Sequence, residues 1–135
     1  VLGDANGADK AVQKWLLEQD YSKVTVYCSG DSCRNNLGQW PVKTVEVSRM
    51  LKGRDFYTQK DKAMAQVADY GLVLWDGKSQ GSCNNLKELL RQNKKALVYY
   101  SPQKKFTRVA ALQDLQALLS HHLPRTNHEQ GALAI

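Results

Sequence analysis

The sequence predicts an α/β fold, a three-layer sandwich in which a mostly parallel sheet is flanked by helices. Short apolar, β-branched runs alternate along the chain with segments of helical periodicity, the order that builds a parallel sheet covered on both faces through right-handed crossovers. Those runs are nearly continuous rather than alternating in polarity, as in strands buried on both sides. The stretches richest in glycine and polar residues, Gly3 to Asp9, Ser29 to Asn36 and Asp76 to Ser82, each follow a strand-like run. They are therefore expected on one edge, at the carboxyl ends of the strands, where such folds take their ligands.

Taken in order, Val1-Leu2 reads as the last residues of a strand, and Gly3 to Asp9 as a glycine turn entering a helix. Ala8, Ala11, Val12, Trp15 and Leu16 recur at helical spacing to Gln19-Asp20, with Trp15 read as core and Asp4, Asn6 or Asp9 available to cap or charge the first turn. Val24 to Cys28 is a short β-branched and aromatic strand closed by Ser29-Gly30-Asp31. A polar loop follows to Pro41, in which Trp40 either stacks on a base or covers the sheet edge. Val42 to Val47 reads as a minor or edge strand, and Ser48 to Arg54 turns away. Thr58 to Tyr70 carries Ala63, Met64, Val67 and Ala68 as a helical stripe, with Thr58 as cap, Asp61 in the first turn and Gly71 as stop. Leu72 to Trp75 is the central buried strand, with Trp75 in the core. A helix from Cys83 to Gln92, a strand from Ala96 to Tyr100 ended by Ser101-Pro102, and a leucine-rich helix from Val109 to Ser120 complete the set.

The 135 residues, 42% hydrophobic and 24% charged, fit one globular domain over residues 1–122 followed by an irregular tail, 123–135. No stretch reaches the roughly 20 apolar residues that span a bilayer, and the N-terminus lacks a basic segment with an apolar signal core, so no membrane role and a cytoplasmic location are expected. Cys28, Cys33 and Cys83 match no zinc spacing and are read as reduced thiols, a Cys28–Cys33 disulfide being geometrically conceivable but disfavoured by compartment. No metal is expected. The formal charge of +6 suits an anionic ligand. Basic and aromatic residues do not interleave, which disfavours a nucleic-acid platform. His121, His122 and His128 are given no catalytic role.

The stretch from Leu72 to Ser82 has the grammar of a buried strand delivering a flexible turn to a helix N-terminus. First-turn N–H groups and the positive end of the helix dipole attract phosphate or carboxylate. Asp76 and Ser79 are suited to hydrogen-bond a sugar or a phosphate, and Lys78 to add charge. A plain strand-to-helix turn uses the same residue types.

Four motifs then occur in order between positions 3 and 82: Gly3-Asp4-Ala5-Asn6-Gly7-Ala8-Asp9-Lys10-Ala11; Arg34-Asn35-Asn36; Lys60-Asp61-Lys62-Ala63-Met64 ahead of Ala68-Asp69; and Asp76-Gly77-Lys78-Ser79-Gln80-Gly81-Ser82. This set resembles the YspA-like, YpsA-related branch of the SLOG superfamily, whose members include the Lonely Guy phosphoribohydrolases, the DNA-processing protein DprA and molybdenum-cofactor carriers. The resemblance implies a Rossmann-like domain that binds a nucleotide or nucleotide-derived ligand, such as AMP, ADP-ribose or an NAD-like molecule, with no other cofactor required. By position it makes Gly3, Asp4, Gly7, Ala8 and Asp9 the first ligand-binding turn, and Asp76, Gly77, Ser79, Gly81 and Ser82 the second. It makes Arg34 and Asn35 the polar element whose guanidinium fork suits a phosphate. Lys60 and Asp61 match less closely.

Family members begin with a further strand and a Gly-Ser-Arg-type loop, and the sequence starts after that unit would end, so part of the pocket is expected to be missing or supplied by another subunit. Lonely Guy enzymes carry a catalytic glutamate where this sequence has Asn85, and an amide is no general acid or base. The reading is thus non-catalytic nucleotide binding or sensing. The alternatives are a nucleotide phosphoribohydrolase or N-glycosidase relying on Asp76, Asp4 or Asp9, and DprA-like single-strand binding. A homo-oligomer is expected, from relatives and from the leucines of the last helix.

Overall fold

The computed structural model describes residues 1–120; the expected tail, 123–135, and the histidines at 121, 122 and 128 lie outside them. In chain order the elements are α1 (Ala8–Glu18), β1 (Val26–Ser29), β2 (Val42–Val45), α2 (Gly53–Val67), β3 (Tyr70–Trp75), α3 (Gln80–Arg91), β4 (Lys95–Tyr100), a 3-10 turn (Ser101–Gln103), β5 (Lys105–Val109) and α4 (Leu112–Ser120). The fold is α/β with two small sheets, one parallel pair and one mixed sheet of three strands. The chain divides into two compact units, Val1–Ala68 and Asp69–Ile135.

In the first unit, β1 is buried along its whole length. Its one neighbour is β2, paired in parallel from Val26↔Val42 to Ser29↔Val45. The other neighbour is the start of the chain: Leu2 bridges to Val26 in parallel, its N–H donating to Thr25 O at 3.0 Å and its carbonyl accepting from Tyr27 N–H at 2.8 Å. Val24, Val26, Cys28 and Trp40 form the core, with Leu2, Leu16 and Cys33 against it. Trp40 covers this core and does not stack outward. Its Nε1 donates to Tyr21 O at 3.1 Å, and Asn36 clamps its backbone by accepting from Trp40 N–H at 3.0 Å and donating to Trp40 O at 2.8 Å.

Two expectations in this unit are corrected. Trp15 is 59% exposed, not core, because α1 turns a different face inward. Gln13 is its buried residue, and at 100° per residue Trp15 points about 200° away from Gln13, on the opposite side. The second correction is that α2 begins at Gly53, with φ +58°, five residues before Thr58. Thr58 is therefore inside the helix, its hydroxyl donating to Arg54 O at 2.7 Å, and Asp61 lies in the middle of α2 rather than its first turn.

In the second unit, β3 and β4 pair in parallel from Tyr70↔Lys95 to Trp75↔Tyr100 around α3, a βαβ unit. Gly71 does not stop α2, which has already ended with extended backbone at Ala68. It lies in β3, and a Cβ there would run into the Leu89 side chain, so the glycine is where α3 packs onto the strand. Cys83, Leu86 and Leu89 of α3 join Val73, Trp75, Ala96, Val98, Tyr100, Val109, Leu115 and Leu118 as buried residues. The Trp75 and Tyr100 rings lie 6.0 Å apart. Each fully buried side chain of this kind contributes about 1.5–3 kcal/mol.

β5 is absent from the sequence reading, which began a helix at Val109. Lys104, at φ +50°, ends the 3-10 turn in the left-handed region and reverses the chain, so that β5 pairs antiparallel with β4 from Tyr100↔Lys105 to Ala96↔Val109. The helix starts only at Leu112.

Candidate functional site

The carboxyl ends of β1 and β2 open into the polar loops of the first unit, the place where parallel strands present ligands. Gly30, with φ +77°, turns the chain immediately after β1. Only glycine fits there, since a Cβ would meet Phe56 Cζ at 2.6 Å. The turn brings Cys33 back over Cys28, their Cα atoms 5.1 Å apart, and the two are joined as a disulfide. This corrects the reading of these cysteines as reduced thiols, which rested on compartment, whereas the local path of the loop sets the pairing. Cys83 is free and buried.

Beyond the disulfide, the first glycine motif and the Arg34-Asn35 element come together. Asp4, 1% exposed, accepts from Arg34 N–H at 2.8 Å on one oxygen and from the guanidinium at 2.9 Å on the other. Asn35 Nδ2 donates to Asp4 O at 2.9 Å and to Asn6 Oδ1 at 2.8 Å. Gln13 ties the same loops from below: its amide nitrogen donates to Gly3 O and Asn35 O, and its amide oxygen accepts from Leu37 N–H. Arg34, its side chain 29% exposed, lies over the Tyr57 ring with 3.8 Å to the centroid, a cation–π contact. Asp4 thus serves to hold Arg34 in place.

Lys60 completes the arrangement from α2. Its ammonium, 3% exposed, bonds Asp61 at 2.7 Å and stands 4.0 Å from Asp4 and 3.9 Å from Asp9. Three carboxylates face two cations, so the cluster carries a net negative charge. Burial pushes the Asp61 carboxyl above the ordinary carboxylate range, against the pull of Lys60. Asp9 also accepts from Ala5 N–H at 3.0 Å, closing the turn before α1. Gly3 is required by this packing, because a Cβ there would meet the Asp9 carboxylate and come within 2.9 Å of Lys60 Nζ. Gly7 caps α1 with no side-chain hydrogen bond and open space around the position of a Cβ. Ala8 follows as the first helical residue.

In the same unit a cleft of about 730 Å³ is lined by Gly30, Asp31, the segment from Glu46 to Arg49, Leu51 and Phe56. Phe56, in the cleft wall, meets the ring of Tyr57 edge-on at 5.1 Å. The sequence reading singled out none of Gln13, Phe56, Tyr57 or the segment from Glu46 to Arg49. Gln13 lies off the apolar stripe of α1 that the sequence puts inward, and gave no signal of its burial. The cleft residues follow a short edge strand and had none.

The second glycine motif lies in the second unit. Asp76 accepts from Lys78 N–H at 2.8 Å and Ser79 N–H at 2.7 Å through one oxygen, an Asx-type turn. These bonds, the one from Ser79 foremost, hold its carboxyl below the ordinary range. Gly77, at φ +78°, lets the turn close. Trp75 Nε1 donates to Ser79 O at 3.0 Å, and Ser82 Oγ to Leu74 O at 3.3 Å. Gly81 lies in the first turn of α3.

Asp4, Cys28 and Cys33 place one oxygen and two sulfurs within 4.8 Å of one another. Joined as a disulfide, the sulfurs have no thiolate to offer a metal. No family model, curated protein or solved structure matches the chain.

Proposed function

We propose that the first unit, of Rossmann-like character, binds a nucleotide or nucleotide-derived ligand without turning it over. The observation that carries this is the cleft at the carboxyl ends of a parallel strand pair, of a size that suits a small organic ligand. Arg49 would meet a phosphate, while Asp31 and Glu46 would accept from ribose hydroxyls. Arg34, held by Asp4 and Tyr57, and the uncapped first turn of α1 at Gly7 and Ala8 offer further anion contacts. In the second unit, the N-terminus of α3 behind Asp76 to Ser82 is proposed as a turn for the same class of ligand.

Against hydrolysis, the acids offered for it are already engaged. Asp76 is held ionised by two backbone donors and suits no general acid near neutral pH. Asp4 is buried under Arg34. Single-strand binding is disfavoured by the carboxylates of the cleft. Self-association is proposed from Tyr70 and Leu72, exposed apolar residues on β3, a strand at the edge of its sheet. The last-helix leucines Leu115 and Leu118 are covered by the chain itself.

The test is a thermal-shift panel on the full chain with AMP, ADP-ribose, NAD, ATP and a short single-stranded oligonucleotide. A ligand at 100 times its Kd stabilises by about 2.7 kcal/mol, several degrees for a domain of this size. A saturable shift with one nucleotide and no release of free base supports the reading. Release of base that disappears in Asp76→Asn would replace it with the hydrolase.

A further inference from the structure

We propose that Cys28 and Cys33 are a redox-modification site whose substrate is a soluble dithiol, and that its state sets the position of Arg34. This stands whether or not a nucleotide binds, because it concerns only the loop that carries Arg34.

Four observations support it. The disulfide joins Cys28, the residue before the last of β1, to Cys33, the residue immediately before Arg34. Both sulfurs lie within 4.8 Å of the Asp4 carboxylate, the same carboxylate that takes the Arg34 N–H and guanidinium. The two cysteines differ in access: Cys28 is fully buried, while Cys33 is only partly buried and flanked by exposed Asp31, Ser32 and Arg34. Finally, the bridge closes a loop of small sequence separation, 5 residues, so it removes less chain entropy than a long-range bridge. It acts chiefly on local geometry.

The chemistry is directional. A thiolate of the dithiol attacks Sγ of Cys33, the less buried of the two cysteines, forming a mixed disulfide as the Cys28–Cys33 bond breaks. Cys28 leaves with the electron pair and takes a proton. The second thiol of the reductant then attacks the mixed disulfide and releases Cys33 as a thiol. The reductant becomes a cyclic disulfide, and two electrons and two protons have passed to the pair. Two unbonded sulfurs cannot stay at the roughly 2 Å of a covalent bond. Cys28 is fixed in a buried strand, so Cys33 moves, and Arg34 N–H moves with it away from Asp4 Oδ2. Glutathione disulfide reverses the change by re-forming the bond, with two equivalents of glutathione released.

The experiment uses the full chain and needs no ligand. Alkylation in denaturant, read by intact mass, counts thiols; amide hydrogen exchange by NMR reads the Arg34 N–H. After glutathione disulfide the expected count is one adduct, on Cys83, and after native-state dithiothreitol it is three. Reduction is expected to speed Arg34 amide exchange at least tenfold, while Val98 in β4 is unchanged, and Cys33→Ser is expected to exchange fast under both conditions. The proposal is overturned by three adducts from the oxidised sample, by a bridge that resists dithiothreitol in the native state, or by equal Arg34 exchange in the two forms.

Discussion

Lys60 is a buried cation held among Asp4, Asp9 and Asp61, and removing it takes from three crowded carboxyl groups the ammonium they all face. Lys60→Ala is expected to lose about 3–5 kcal/mol of stability, read as a fall in the urea midpoint. Gly3→Ala drives a methyl into Asp9 and Lys60 and is expected to cost about 1–3 kcal/mol. Asp61 supplies a pH signature with a definite sign. Its folded pKa is raised above the ordinary 3.8, so the folded chain holds the proton more tightly than the unfolded one. Stability then falls as pH rises from about 3.8 to the raised value, and wild type is expected to lose ground to Asp61→Asn across that window. The partners Asp4, Arg34 and Asn35 were legible in the sequence because they sit in short polar motifs after strands. What each does was not, since a carboxylate that contacts a ligand and one that holds an arginine look alike in one dimension. The cysteine pairing was legible as geometrically conceivable but set aside on compartment, and the left-handed turn at Gly30 is what brings Cys33 back over Cys28.

At the scale of elements, periodicity located the four helices and four of the five strands among the described residues, and turn chemistry set their ends less well. α1 fits within a residue or two because its glycine turn and apolar stripe agree. α2 begins earlier than read because Gly53, in the left-handed region, starts it without a side-chain cap. β5 was missed because Lys105, Phe106 and Arg108 are exposed, so a strand with one wet face looks like a solvated loop. The entry to α3 is testable in the same terms. Asp76 gathers two backbone N–H groups, and its exposure limits their worth, so Asp76→Ala is expected to cost less than about 1 kcal/mol at neutral pH. Its folded pKa is lowered. The contribution is present above 3.8 and is lost as pH falls through the folded value, so the difference between variant and wild type in urea melts is expected to vanish in acid.

For the whole molecule, the alternation of helices and strands is an α/β fold, and among the described residues no helix is long and apolar enough to cross a membrane. The parallel sense of β3 and β4 was readable from their apolar runs and the helix between them, whereas β2, Val-Lys-Thr-Val, was legible only as a minor or edge strand. The division into two units was not, because no Pro/Gly-rich linker marks Ala68-Asp69 and the boundary lies in a single bend between α2 and β3. Light scattering at micromolar concentration is expected to give a dimer or larger assembly for wild type and a lower mass for Leu72→Glu, which places a charge on exposed β3. The most direct test of ligand binding at the first unit is an NMR titration of the full chain with AMP and with ADP-ribose, alongside Gly7→Asp. That variant has room for its side chain and is expected to fold, while placing a negative charge at the mouth of α1. The account predicts saturable shifts at Gly7, Ala8, Gly30, Arg34 and Arg49 that survive 0.2 M salt and weaken about tenfold or more in the variant. Shifts scattered over surface lysines and lost in salt, or none with either nucleotide, would contradict it.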